Sequence, residues 1–294
     1  GGGSYGVLTS VTYNTHPEEP VVFITIEAAA TPATAQSIII LNKSIVSEFI
    51  RLSPSLSDLG WGGYAFISPQ SFLFAGLAPN TSWADANATV KPFFDFVANA
   101  NSGSAILDTF PFDTFYSVYT SLLSTNASGT DGIGSNNELA SRLIPRDLVE
   151  KDYDRVSETL LSLNNSLLYH LVAGGAVSKV DPDPTGLNPA WRKAAAHVAL
   201  GVSWPEGTSV SDIRLLEDIA KGYVGVLEGL VGPDGGAYFN EASLYEPNFQ
   251  ETFFGDHYSK LQAIKDQYDP VGLFVVVEGV GSERWDDALE CLKA

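Results

Sequence analysis

AYFNEASLYEPNFQETFFGDHYSKLQAIKDQYDPVGLF, residues 237–274, is the stretch around which the rest of the chain reads as scaffold. It opens with Tyr238-Phe239-Asn240-Glu241, where a strand period of two puts Tyr238 and Asn240 on one face. A phenol and an amide so placed can hold a ring edge and a reacting hydroxyl together. A hydrogen-bonded edge strand would use the same residues. After a Pro-punctuated loop, Tyr258, Leu261, Ile264 and Tyr268 form one apolar helical face. Asp256 is a candidate N-cap for this helix, and Asp269-Pro270 ends it. Lys265 is assigned to the helix surface.

Working back towards the start, the pattern alternates strands and helices. Residues 208–230 read as a long helix, capped by Thr208 or Ser209 and closed by Gly232-Pro233. Residues 167–172 and 195–204 read as strands, as do 21–28, 61–68 and 71–77. Residues 104–108 and 139–144 are shorter strand candidates. Helices are expected from Thr31-Pro32 to Ser53-Pro54, over 81–99, over 111–123 and over 147–163. Residues 125–137 read as a loop. The aromatics Trp61, Tyr64, Phe66, Phe72 and Phe74 suit half-buried strands; stacking against a ligand is the competing use. Arg142 and Arg146 bracket a turn, as surface charges or as a carboxylate site. His170 and His197 sit singly on separate strands, with no second ligand at metal-binding spacing, so both read as structural and the metal count is none. Asp181 and Asp183 lack the spacing of a calcium loop. This succession implies an α+β fold with a largely antiparallel sheet and flanking helices.

Near the start, residues 7–13 (VLTSVTY) alternate as a half-buried strand does, after a Gly-rich opening that lets backbone approach a ligand closely. The prolines at 17 and 20 mark a linker. The expected division is therefore 1–20, 21–232 and 233–294. There is no methionine. That absence, with the abrupt glycine cluster, leads to the expectation of a piece of something larger; a tag linker is the alternative.

Composition narrows the partners. The formal net charge of −19 repels phosphate backbones and anionic membranes. No apolar run approaches the roughly 20 residues of a membrane helix. With one cysteine, Cys291, no disulfide can close within the chain. Five N-x-Ser/Thr sequons, at Asn42, Asn80, Asn87, Asn126 and Asn164, point to a secreted glycoprotein, against chance occurrence in an Asn/Ser-rich chain.

The order Y-x-N-E at 238–241, P-N-F-Q-E at 247–251, F-G-D-H-Y at 254–258, L-x-x-I-K at 261–265, Y-D-P at 268–270 and L-F at 273–274 resembles the C-terminal segment of berberine-bridge-enzyme-like FAD-linked oxidases. These belong to the vanillyl-alcohol-oxidase flavoprotein superfamily. The opening GGGSYGVLTSVTYNTHP independently looks like the run that closes that family's FAD domain. Between the two ends the resemblance is diffuse.

The resemblance implies FAD as cofactor and a small alcohol or carbohydrate as substrate. Hydride passes from the hydroxyl-bearing carbon to the flavin, and O2 accepts the electrons. It implies Tyr238 as the base, Asn240 orienting flavin or substrate, and Gly2, Gly3, Gly6 and Val7 beside the cofactor. The terminal segments would complete an FAD-binding domain whose N-terminal half is a further partner. A tyrosine base with an ordinary pKa of about 10 needs help from a cation or a second phenol; Tyr258, Lys260 and Lys265 are the candidates. Cys291 lies outside any flavin-attachment motif. A non-catalytic secreted binding protein and a flavin dehydrogenase that reacts poorly with oxygen are the competing functions.

Overall fold

In a computed structural model the described residues are 3–29, 35–100, 105–124, 136–233 and 235–293, with the side chains of 29, 35–42 and 123 set aside. The elements run β1 (Val21–Ala29), α1 (Ala35–Asp58), β2 (Gly62–Ile67), β3 (Ser71–Pro79), α2 (Trp83–Ala100), β4 (Ile106–Phe112), α3 (Phe115–Val118), β5 (Asn136–Pro145), α4 (Arg146–Ser162), β6 (Leu167–Leu171), α5 (Ala190–Lys193), β7 (Ala194–Trp204), α6 (Val210–Val231) and α7 (Tyr258–Tyr268). The seven strands form one sheet in the order β4-β1-β3-β2-β6-β7-β5, and every pairing is antiparallel. This bears out the α+β, antiparallel expectation.

Alternation along the strands sorts the sheet into two faces. Ile24, Ile26, Phe72, Phe74, Ala65, Ile67, Tyr169 and Val198 point to the side carrying α1, α2, α4 and α6, and are fully buried there. Phe49 of α1 anchors that core, with ring centroids 4.8 Å from Phe74 and 5.1 Å from Phe72. Among the described residues no such layer covers the opposite face over β2: Tyr64 and Phe66 are 48% and 52% exposed. The aromatics of β2 and β3 therefore divide by parity, with Phe72 and Phe74 in the core and Tyr64 and Phe66 on the open face.

Several boundaries differ from the sequence expectation. Helix α1 runs through Pro54 to Asp58. The proline leaves the Ile50 carbonyl without its usual amide donor. The Ser53 hydroxyl bonds that carbonyl at 2.8 Å and lies 2.9 Å from the Tyr169 hydroxyl, so the interruption is absorbed. Residues 111–112 end β4 instead of opening a helix; only a short α3 and a π turn at Tyr119–Leu123 follow. Residues 7–13 form no strand: Val7, Leu8 and Tyr13 are more than three-quarters exposed. Their alternation has no partner edge among the described residues, and a strand without a ladder does not form. Gly2, Thr31, Pro32 and most of the 125–137 loop lie outside the described residues.

Gly63 on β2 lets two strands meet. A β-carbon there would stand 2.2 Å from the Ala75 carbonyl oxygen, so no other residue fits without moving backbone. Among the described residues no helix is long and apolar enough to cross a membrane.

Candidate active site

The register of the sheet lays one row of residues across its open face. Thr25 pairs with Ala75, Ala75 with Tyr64, Tyr64 with His170, His170 with His197, and His197 with Leu143. The two histidines are thus cross-strand neighbours. Their rings meet edge to face with centroids 5.0 Å apart, and Tyr64 packs on His170 at 5.1 Å. Both imidazoles are buried. The assignment of His170 and His197 to unrelated structural positions is therefore corrected: antiparallel pairing of β6 and β7 brings them together, and a loop brings a third group to them.

That group is Glu241. Its Oε2 lies 3.8 Å from His170 Nδ1 and 3.6 Å from His197 Nδ1. These are not ion pairs. Burial holds both imidazoles neutral, driving His197 down to about 3, with the neighbouring His170 adding to the effect. Burial also raises the Glu241 carboxyl above its ordinary range. The donor atoms of the three residues lie within 4.8 Å of one another, a set that a divalent cation could use. Metal-bound histidines, however, pass their second N–H to an acceptor. The Nε2 atoms of His170 and His197 are buried with no partner among the described residues. That arrangement suits proton handling better than an ion.

Tyr238 and Asn240 stay together, though not on a strand. Residues Phe239–Glu241 make a 3-10 turn, which replaces the expected period-two geometry. Asn240 Nδ2 donates to the Tyr238 hydroxyl oxygen at 3.0 Å, which leaves the hydroxyl proton free for another acceptor. The Tyr238 ring meets His197 at 5.9 Å and Trp191 at 6.0 Å, both near perpendicular. His170, Trp191, His197 and Glu241 were given no role in a site, and Tyr64 only the competing use of stacking against a ligand. The signal for them was two histidines inside neighbouring strands; the register that joins them is not written locally.

The three groups expected to assist Tyr238 are committed elsewhere. The Tyr258 hydroxyl donates to Glu283 at 2.6 Å and accepts from the Gly281 amide, and burial foremost pushes it up to about 12. Lys260 donates to the Asp183 carbonyl. Lys265 is buried, not on the helix surface. It pairs with Asp269 and donates to the carbonyls of Ser4 and Phe274. The Lys265 ammonium in turn holds the Asp269 carboxyl down at about 2. The exposed side of α7 carries Tyr268, which is 70% exposed. Asp256 lies in a 3-10 turn and caps nothing; His257 occupies the cap position without a side-chain bond.

What fixes the site is a set of ties between residues 236–278 and β5. The Leu143 amide donates to the Gly236 carbonyl at 2.7 Å. Arg142, likewise no surface charge, is 2% exposed and forks onto Glu246, at 2.8 and 2.9 Å. Glu138 accepts from the Ser243 hydroxyl and the Leu244 amide. Glu278 accepts from the Glu246 amide. Arg146 bonds Asp58 and Glu150.

Burial foremost, then the charges of Glu246 and Glu138, pushes Glu278 up to about 8. The unfolded chain loses this proton near pH 4.5, whereas the folded chain holds it to about 8. Stability is therefore lost as pH rises through that interval. The buried histidines have the opposite sign and act only below about pH 6.5. Between pH 6.5 and 8 the full-length protein is expected to lose about 1 kcal/mol to Glu278, a figure reduced for solvent screening. Glu278→Gln should flatten that slope in thermal melts; an unchanged slope would assign it to another group.

Of the residues expected beside a cofactor, Gly3 packs its α-carbon near Val276, and Ser4 is buried with its hydroxyl unpartnered among the described residues. Tyr5 bonds the Leu261 carbonyl and packs against the buried cluster of Ala237, Ala242, Phe253, Phe254 and Val280. This ties the opening of the chain to the stretch that carries Tyr238. Beyond it, Gly6 has nothing within 4 Å of where a β-carbon would stand, and Val7 is 79% exposed. The open backbone at Gly6 and Val7 and the exposed Asn240 amide are donors of the kind that a flavin's polar edge accepts.

Residues 237–281 match the family model described as Berberine and berberine like. An uncharacterized FAD-linked oxidoreductase of Arthroderma benhamiae is 32% identical over 97% of this chain and 50% of its own length. FAD-linked oxidoreductase patO of Aspergillus clavatus is 29% identical over 97% of the chain and 49% of its length. The chain thus spans about half the length of the curated relatives it matches. Among solved structures, the VAO-type flavoprotein MtVAO615 of Myceliophthora thermophila C1 superposes with a TM-score of 0.79 at 24% identity, over 97% of this chain and 52% of that one. A glucooligosaccharide oxidase of Acremonium strictum superposes at 0.66 with 16% identity, over 90% and 56%.

Proposed function

We propose that this chain, whose residues 237–281 match the Berberine and berberine like model and whose fold is that of VAO-type flavoproteins, forms the substrate-facing half of an FAD-dependent oxidoreductase acting on a small hydroxylated molecule. The observation that carries this is the juxtaposition of Tyr238, Asn240 and Glu241 with the His170–His197 pair on the uncovered sheet face. Residues 1–20 and 233–294 lie on the cofactor side, and 21–232 form the substrate domain. Gly2, Gly3, Gly6, Val7 and Asn240 would contact the flavin, and an N-terminal FAD-bearing half, from the same precursor or as a separate chain, would hold the rest of it.

FAD supplies the hydride acceptor when bound. The chain's own residues handle the proton and the pose. Tyr238 relays the proton of the substrate hydroxyl: as its oxygen, held by Asn240, takes that proton, its own O–H proton passes towards the neighbouring His197–Glu241 group. The rings of Trp191 and His197 fix the plane of the phenol. Neutral His197 and Glu241 lie alongside as a route by which that proton leaves. O2 is the final electron acceptor, and the product is an aldehyde or ketone. The exposed sequons at Asn80 and Asn164 suit a secreted, glycosylated protein.

The test is spectroscopic. Full-length protein should show the visible absorption of an oxidised flavin, bleach anaerobically with substrate, and consume O2 on re-aeration. Absence of flavin bands would favour a binding protein on the same fold. Bleaching that only a dye, and not O2, reverses would make it a dehydrogenase.

A further inference from the structure

The row beside the histidines differs from it in character. Glu27 pairs with Leu73, Leu73 with Phe66, Phe66 with Leu168, and Leu168 with Ala199. Alternation places this row two residues along each strand, about 7 Å from the Tyr64–His170–His197 row and on the same open face. It floors a cavity of about 650 Å³ that Leu139 closes on the β5 side. From Leu73 to Ala199 the floor offers no polar side chain. Polar groups stand only at the rim: His170 and Glu241 at one border, Glu27 at another, and Ser68, Ser71 and Ser166 beyond the apolar floor; neither Lys nor Arg lines the cavity.

We infer that the substrate seated here is a largely apolar ring compound bearing a hydroxyl group, not a carbohydrate or a carboxylic acid, and that Glu241 is the specificity residue that holds its hydroxyl. This rests on the flavin oxidoreductase assignment and narrows it. A sugar carries hydroxyls around its whole rim, and those lowered onto Leu73, Phe66 and Leu168 would lose water without gaining a partner. An aromatic or fused-ring alcohol buries its apolar faces there and keeps its hydroxyl at the polar border, where the Glu241 carboxyl positions it for Tyr238. A carboxylic acid would face Glu27 and Glu241 with no cation to balance it. The neutral histidines add no positive charge that could reverse this preference.

The experiment is a binding panel on the full-length, flavin-loaded protein under anaerobic conditions. One- to three-ring alcohols, their matching carboxylic acids and cello-oligosaccharides are titrated by calorimetry. The best alcohol should bind at least 10-fold more tightly than the best acid or sugar. Phe66→Ser, at an exposed position, should weaken the alcohol about 5-fold or more while leaving the melting temperature in place. Glu241→Gln should weaken the alcohol about 10-fold and shrink the alcohol-to-acid ratio, which loss of structural support alone would not do. If sugars or acids bind as tightly as any alcohol, or if Glu241→Gln leaves the ratio unchanged, the inference is overturned. Tight alcohol binding without bleaching would sustain it and remove the redox assignment. Bleaching by a sugar with no preference for alcohols would do the reverse.

Discussion

Tyr238→Phe slows reduction of the bound flavin by substrate about 100-fold or more and leaves the flavin bound. The substitution removes one oxygen. That oxygen accepts a single described side-chain bond, from Asn240, while the ring keeps its edge-to-face contacts with His197 and Trp191. Loss of a positioned proton acceptor is worth roughly 10² to 10⁴ in rate. Loss of one half-exposed hydrogen bond costs about 1 kcal/mol of stability or less. Rate and stability should therefore separate: rapid-mixing reduction collapses while the melting curve barely moves. A near-normal reduction rate would take Tyr238 out of the base role.

Arg142→Met destabilises the full-length protein by about 3 kcal/mol or more, and it acts on the site from a distance. Arg142 and Glu246 are each 2% exposed at the side chain and share two hydrogen bonds, with a third from Arg142 to the Ser141 carbonyl. Removing the guanidinium leaves a buried carboxylate whose remaining bond, from Thr252, is long at 3.4 Å. Breaking one side of such a pair costs about 3–5 kcal/mol, more than the pair itself contributes. Replacing both members with apolar residues, Arg142→Met with Glu246→Leu, should recover much of the loss. Denaturant unfolding of the two variants checks this. If the single variant were as stable as the parent, the tie between β5 and the Tyr238 stretch would not be what holds the site.

How far the sequence could be read follows from how local each signal is. Helix α6 was legible from its 3.6-residue period, with Ser209 capping the Asp212 amide and Gly232 ending it. Strand β3 was legible as a strand, but its aromatics were read as one group with those of β2; the sheet is what turns Phe72 and Phe74 inward and Tyr64 and Phe66 outward. Pro54 was misread because a stop signal gave way to a local repair, the Ser53 hydroxyl on the Ile50 carbonyl. Residues 7–13 were misread in the opposite sense: alternation marks what a strand would bury but not whether an edge is there to pair with. The site was half legible. Tyr238 and Asn240 are two residues apart and stood out together. His170 and His197 meet only through the β6–β7 register, and Arg142 reaches Glu246 across 104 residues. Composition and period carry no record of either meeting. Lys265 shows the same limit, since a charged residue on an apparently polar face proved to be the buried clasp for Ser4 and Asp269.

The central claim is that the uncovered sheet face, with Tyr238 at its border, is where substrate and flavin meet. An experimental structure of the full-length, flavin-loaded protein tests it most directly. The account predicts the isoalloxazine ring on that face, with Asn240 and the open backbone around Gly6 against it, and the Tyr238 hydroxyl turned towards the space between ring and sheet. A flavin bound on the helical side, or one whose ring lies out of reach of Tyr238 and the His170–His197–Glu241 group, would contradict it.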